Sequence, residues 1–339
     1  MTTKISQWQR IALLAAGISA SMVSVAWGGT GLYQQHTDGS IWQYTGVPCN
    51  GTVCSGWVEL DNNPSANMIA AGGGKLYQLH NDGTVWQYTG PTCSGGSCPG
   101  WELIGNDPNS GTIGVGGSIL YQLRGASIWQ YTGEPCTGNS CPGWIELDDN
   151  PDANTFGANG GLLYELHADG TFWQYTGPAC SGSYCPGWME VDDNPTTFIV
   201  FAVGAKALYQ QHTDGSIWQY TGPPCSGSSC PGWLRIDDNA NTALISAGGA
   251  LYQQHKDNSI WQYTGTPCNG NTCPGWWKLD DNPETSGTFA GAGTVYQMHL
   301  DKSIWQYTGT PCNGSACPGW RKLDDNPATA FIVAGGTAF

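Results

Sequence analysis

The chain is 339 residues long, with 50 Gly, 17 Trp, 15 Tyr and 14 Cys but only 11% charged residues, a mix far from the average globular domain. Its formal charge is −15. No cluster of Lys or Arg is present to release counterions from phosphate, which argues against nucleic acid and against an anionic lipid surface as partners.

The chain opens like an export signal. Lys4 and Arg10 supply the positive region, residues 11–25 are mostly apolar, and Ser24-Val25-Ala26 offers small residues for cleavage. Residues 1–26 are therefore expected to be a signal peptide. An uncleaved anchor is the alternative, but its apolar run is short for a span and is interrupted by Gly17, Ser19 and Ser21. Residues 27–339 then form one domain of charge −17, secreted or periplasmic, with no membrane insertion after cleavage.

A repeat fills that domain. The dipeptide Leu-Tyr, or its variant, places equivalent tyrosines at Tyr33, Tyr77, Tyr121, Tyr164, Tyr209, Tyr252 and Tyr296. The repeats begin near residues 32, 76, 120, 163, 208, 251 and 295, a period that suits one four-stranded propeller blade. Gly and Pro recur every few residues, so no segment is long enough for a helix. The fold class expected is all-β, a seven-bladed β-propeller.

In the first repeat, residues 32–36 and 41–45 read as a hairpin around a two-residue Asp38-Gly39 turn. That turn pairs Tyr33 with Tyr44, Gln35 with Trp42, Gln34 with Gln43 and His36 with Ile41. Residues 57–60 are a third strand and 68–71 a small-residue strand suited to the propeller axis. The chain thus begins at the second strand of a blade. Residues 331–334 are left to complete that blade and close the ring, which removes free edges.

All cysteines fall in seven Cys-x4-Cys pairs: Cys49/Cys54, Cys93/Cys98, Cys136/Cys141, Cys180/Cys185, Cys225/Cys230, Cys268/Cys273 and Cys312/Cys317. An even count behind an export signal reads as disulfides. Two thiols without a nearby His would half-fill a metal site.

Fourteen tryptophans belong to the repeat. Trp42, Trp86, Trp129, Trp173, Trp218, Trp261 and Trp305 sit mid-strand and read as inter-blade core. Trp57, Trp101, Trp144, Trp188, Trp233, Trp276 and Trp320 follow the cystine loop, where an indole is either core or a platform for a sugar ring. The six histidines share one position, His36, His80, His167, His212, His255 and His299, with Arg124 in the third repeat. Each is either a cap for the adjacent turn or a repeated donor for a ligand.

Next to them in the turn stand Asp38, Asp82, Asp169, Asp214, Asp257 and Asp301. A loop written Asp-Asp-Asn-Pro, or a variant, follows the third strand and contributes Asp61, Asp148, Asp149, Asp192, Asp193, Asp237, Asp280 and Asp324. Propeller topology brings this loop to the same face as the His-x-Asp-Gly turn. Asx residues before Pro are also ordinary turn chemistry. Calcium takes such oxygen ligands, but without a spaced loop signature it is held only as a minor alternative, and no other cofactor is expected.

The string Asp-Gly-Ser-Ile-Trp-Gln-Tyr-Thr-Gly at 38–46 and 214–222, preceded by Leu-Tyr-Gln and followed by Ser/Pro-Gly-Trp, resembles the repeats of tectonin and tachylectin-type propeller lectins. The resemblance spans residues 27–339 and implies a secreted propeller binding N-acetylated or methylated sugars on microbial surfaces. The cystine loop departs from that family, whose sugar contacts do not carry over residue by residue.

Enzyme signatures are absent: there is no Gly-x-Ser-x-Gly, no His-Glu-x-x-His and no Gly-rich phosphate loop before a helix. Repetition of nearly every polar residue favours multivalent binding, with glycans on cell surfaces as the expected partners. A non-enzymatic cell-envelope scaffold or protein-interaction propeller is the alternative. A secreted hydrolase or lyase with an axial site ranks last because the inner strands are apolar. The third repeat lacks both His and the Asp-Gly turn, so its site is expected to be altered or lost.

Overall fold

A computed structural model of the chain describes residues 30–194, 197–291 and 293–336. The expected signal peptide, residues 1–26, lies outside them. Among the described residues, 28 strands form seven four-stranded antiparallel sheets and no helix.

The first blade holds β1 (Thr30–His36), β2 (Ile41–Tyr44) and β3 (Trp57–Asp61). Its innermost strand comes from the other end of the chain, Thr329–Gly336, paired with β1 from Thr30↔Gly336 to His36↔Thr329. The second blade is β4 (Ala66–Gly72), β5 (Lys75–His80), β6 (Thr84–Tyr88) and β7 (Trp101–Asn106), in spatial order β4-β5-β6-β7. The remaining five blades repeat that pattern. The ring closes through the last strand as expected.

The core lies between blades. Leu32, Ile332 and Ala334 of the first blade pack on Tyr296, Ile304 and Leu323 of the seventh. Each blade alone is a sheet with two apolar faces, so its stability comes from burying both faces against neighbours.

The hairpin register differs from expectation by one residue. Tyr33 lies opposite Gln43, Gln34 opposite Trp42 and Gln35 opposite Ile41. The loop has three residues rather than two. His36 N donates to Ser40 O at 2.9 Å, Gly39 N donates to His36 O at 3.0 Å, and Gly39 takes φ 88°. This is a type I turn closed by a left-handed glycine. The Asp38 carboxylate selects it by accepting from Ser40 N at 2.9 Å.

A one-residue slip exchanges the faces. Trp42 therefore shares a face with Gln34 and His36, not with Tyr33. The expected Gln34–Gln43 pairing is replaced as well: Gln34 Oε1 accepts from the Thr329 hydroxyl at 2.8 Å.

Every outer strand carries a bulge. In the first blade Ile41 faces Asp61 but Trp42 faces Glu59, leaving Leu60 extra. The same place is held by Ile104, Leu147, Val191, Ile236, Leu279 and Leu323, and all seven side chains are fully buried. The bulge turns the backbone carbonyl of that residue out of the ladder. The next blade uses it: Trp101 Nε1 donates to Leu60 O at 2.9 Å, Trp144 to Ile104 O at 2.7 Å and Trp57 to Leu323 O at 2.9 Å.

The cystine loop completes the clamp. Cys93 N donates to Glu59 O at 3.1 Å and Cys136 N to Leu103 O at 3.1 Å, so each loop lies along the outer strand of the preceding blade. That strand would otherwise present an open edge. All seven expected disulfides are formed: Cys49–Cys54, Cys93–Cys98, Cys136–Cys141, Cys180–Cys185, Cys225–Cys230, Cys268–Cys273 and Cys312–Cys317.

The two tryptophan sets thus have firm places. Trp57, Trp101, Trp144, Trp188, Trp233, Trp276 and Trp320 are inter-blade struts whose N–H is committed to a carbonyl. The other set, Trp42, Trp86, Trp129, Trp173, Trp218, Trp261 and Trp305, is half-buried. Trp129 packs against the inter-blade core as expected, whereas the register slip sets the other six against the histidine of their own hairpin instead.

Candidate functional site

On one face of the ring, each hairpin turn meets the loop that leads in from the preceding blade, as propeller topology requires. Thr37 N donates to Ala328 O at 2.8 Å and Asn81 N to Ser65 O at 2.9 Å. Behind that contact the side chains form one chain of polar links. Asp38 accepts the Ser40 amide, the Ser40 hydroxyl lies 3.2 Å from His36 Nδ1 and accepts Trp42 Nε1 at 3.0 Å, and His36 stacks on Trp42 with centroids 5.6 Å apart. The stacking recurs for His80, His167, His212, His255 and His299.

These imidazoles are mostly interior. His36, His80, His167, His255 and His299 are 6–7% exposed, and His212 is half-buried. Burial holds His36, His80, His212, His255 and His299 below the ordinary imidazole range. Asp61, Asp148, Asp192, Asp237, Asp280 and Asp324 are equally hidden, 4–5% exposed. Each ends an outer strand and, Asp148 excepted, meets a Gln of the next blade; Gln210 Nε2, for example, donates to Asp192 Oδ2 at 3.1 Å. Burial raises the Asp61, Asp237, Asp280 and Asp324 carboxyls, while the amides of Gln78, Gln253, Gln297 and Gln34 pull the other way.

The sequence candidates therefore divide. The histidines and the first Asp of each loop form the joint between blades. Asp38, Asp82, Asp169, Asp214, Asp257 and Asp301 stand exposed at the rim, held below the usual carboxylate range by hydrogen bonds from the Ser or Thr two residues on. Asp149 is exposed beside its loop, with Oδ1 3.3 Å from the disulfide sulfur of Cys185. Asp193 Oδ1 lies 3.4 Å from Cys230 in the same way.

The cystine loops share one spacing but not one setting. The Cys93–Cys98 loop differs from those two because Asn62 stands where Asp149 and Asp193 do. Instead of an acid beside the Cys98 sulfur, the Asn62 amide donates to the Gly96 carbonyl at 3.2 Å, in the middle of the ring that Cys98 closes. An amide can donate to a carbonyl and a carboxylate cannot. Asn106 does the same one blade on, donating to Asn139 O at 2.9 Å inside the Cys136–Cys141 loop.

The third blade is altered, as its sequence predicts. Gly105 stands where other joints have Asp, and Arg124 replaces His. The guanidinium sits 4.7 Å from the ring centroids of both Trp129 and Trp144. It donates to Gln122 Oε1 at 2.8 Å and lies 3.8 Å from Asp107. A cleft of about 300 Å³ opens there beside Asn106 and Pro108.

A groove lies on the opposite face, between the sixth and seventh blades. It measures about 650 Å³ and is lined by Tyr252, Gln262 and Trp277 on one side and Gln306, Tyr307 and Arg321 on the other. Trp277 is 61% exposed, and Arg321 Nη2 donates to Gln306 Oε1 at 2.7 Å. Sequence reasoning missed this place because it followed what repeats. The signal was a departure: only the sixth repeat reads Pro-Gly-Trp-Trp, where the others carry Val58, Glu102, Ile145, Met189, Leu234 and Arg321.

No protein-family model matches this chain, and no curated protein matches it in sequence. Solved structures do match in fold. The chain is similar to Prp20p from Saccharomyces cerevisiae, with TM-score 0.57 and 10% identity over 96% of this chain and 90% of that one. It is also similar to yeast RCC1 (Prp20) bound to Kap60, with TM-score 0.52 and 10% identity over 91% and 85%. Human WBSCR16 gives TM-score 0.52 and 11% identity over 80% and 86%. At such identities the likeness is to the propeller fold alone. Among the described residues no helix is long and apolar enough to cross a membrane. The seven disulfides fit an oxidising compartment.

Proposed function

We propose that this chain is a secreted, non-enzymatic carbohydrate-binding propeller, in keeping with its resemblance to tectonin and tachylectin-type repeats. The observation that carries the reading is the groove between the sixth and seventh blades. An exposed indole, Trp277, offers an apolar face for the C–H side of a sugar ring, while Gln262, Gln306 and Arg321 present donors and an acceptor for its hydroxyls. Its volume suits a mono- or disaccharide.

Part of the frame of that groove, the Gln-Tyr-Thr-Gly run that holds Gln306 to Gly309, recurs in sequence in every blade, while the wall residue at the Trp277 position changes. Related sites of graded strength follow, and weak sites on one ring gain by avidity on a glycan-coated surface. The exposed carboxylates of the opposite face, Asp38, Asp82, Asp169, Asp214, Asp257 and Asp301, are the second set of candidates.

A protein partner is the other reading, favoured by exposed apolar side chains on the cystine loops, Val53 at 64% and Tyr184 at 69%. Prp20p, similar in fold, has binding properties towards Gsp1p and histones. The test is a glycan array with the oxidised chain and with Trp277→Ala, each with and without calcium. Binding lost in Trp277→Ala supports the groove. Binding retained moves the site to the carboxylate face, and a blank array from folded protein leaves the protein-partner reading.

A further inference from the structure

The joint between the third and fourth blades carries an acid where every other joint carries an amide. The residue after the repeat tyrosine is Gln34, Gln78, Gln122, Gln210, Gln253 or Gln297 in six blades, but Glu165 in the fourth. Elsewhere that side chain donates to an Asp, as Gln210 does, or in the third blade accepts from Arg124. Glu165 can donate only when protonated, and it faces Asp148 of the third blade across the joint within hydrogen-bonding reach, with His167 beside it. His167 Nε2 lies 2.8 Å from Glu165 Oε1.

The three are interior, with Asp148 5%, Glu165 1% and His167 6% exposed. One ligand atom from each falls within 4.8 Å of the others. Glu165 Oε2 is buried without a hydrogen-bond partner. Burial of two carboxylates with a single imidazole is expensive unless a proton or a metal cation joins them. Among the described residues no Lys or Arg joins them; the further charged groups acting on Asp148 and His167 are Asp149 and Asp169, both negative.

We propose that Asp148, Glu165 and His167 bind one first-row divalent transition-metal ion, zinc being the natural probe, and that the ion clamps the third blade to the fourth. Two carboxylate oxygens and an imidazole nitrogen are ligands that zinc takes, leaving a fourth position for water. The imidazole and the small, closed space argue against calcium or magnesium, which prefer six or more oxygens. Other close groupings of acid and cysteine here, such as Asp280, Asp281 and Cys317, involve disulfide sulfur, which has no thiolate to offer. The bound ion is structural: it adds its binding free energy to the folded ring.

The test uses untagged, oxidised protein stripped with a chelator and titrated with zinc, read by calorimetry, by metal content after dialysis and by thermal unfolding. One equivalent of tightly held zinc and a higher unfolding temperature are expected. Glu165→Gln recreates the arrangement of the other joints, so it should fold yet lose the stoichiometric zinc and the zinc-dependent shift. Cobalt should give the intense visible absorption of a four-coordinate site in the parent and not in Glu165→Gln. Equal zinc retention and equal thermal shifts in parent and Glu165→Gln would overturn the proposal, as would no retention by either. The outcome is independent of the glycan array.

Discussion

Replacing Trp144 by Phe tests whether the seven tryptophan struts hold the ring. The indole is 7% exposed and donates to Ile104 O at 2.7 Å, across the joint between the second and third blades. Phe keeps an aromatic ring but leaves that buried carbonyl without a donor, which costs about 1–3 kcal/mol. The lost ring area adds about 1 kcal/mol, and the cation over the ring, Arg124 at 4.7 Å, weakens somewhat. A total loss of about 2–4 kcal/mol is expected on these terms. Urea unfolding followed by circular dichroism reads it against Trp277→Phe, whose exposed ring has no such duty and should cost less than about 0.5 kcal/mol. If Trp144→Phe shifts the midpoint no more than Trp277→Phe does, the strut argument fails.

Three further outcomes are expected. Burial holds His36, His80, His212, His255 and His299 below the ordinary imidazole value of 6.5. The unfolded chain then binds more protons between 6.5 and the lower folded values, so stability should fall as pH drops through that window. The combined variant His36→Gln, His80→Gln, His255→Gln and His299→Gln should show a shallower slope of unfolding midpoint against pH; an unchanged slope would assign it elsewhere. Reducing the disulfides removes about 2 kcal/mol of loop-closure stabilisation from each small ring and frees the outer strands, so light scattering under reductant should rise along with a lower unfolding temperature. Arg124→His, although it restores the repeat consensus, should destabilise by about 1–2 kcal/mol, because His cannot reach Asp107 or cover both Trp129 and Trp144; a more stable variant would contradict the account of that joint.

Much of the fold was legible because repetition makes each blade state the same pattern seven times. The period, the Cys-x4-Cys pairs and the orphan strand at the C-terminus determined the blade count, the disulfides and the ring closure. These are local or periodic features, carried by spacing along the chain. The hairpin register was not legible to that reading, because Asp38 and Gly39 serve a two-residue and a three-residue loop alike. The Ser40 amide on Asp38 decides between them, and the one-residue difference sends Trp42 to the other face.

The tertiary structure alone decided what lies across the joints. The bulge at Leu60 leaves a carbonyl for Trp101, a pairing of residues 41 positions apart that no spacing rule announces. Burial turned the histidines and the first Asp of each loop from candidate ligand contacts into joint residues. Conversely, two departures from the repeat, Trp277 and Glu165, gained meaning only when the ring set each beside its neighbouring blade. Sequence thus determined what each blade is, and packing determined which of its side chains are left facing a ligand.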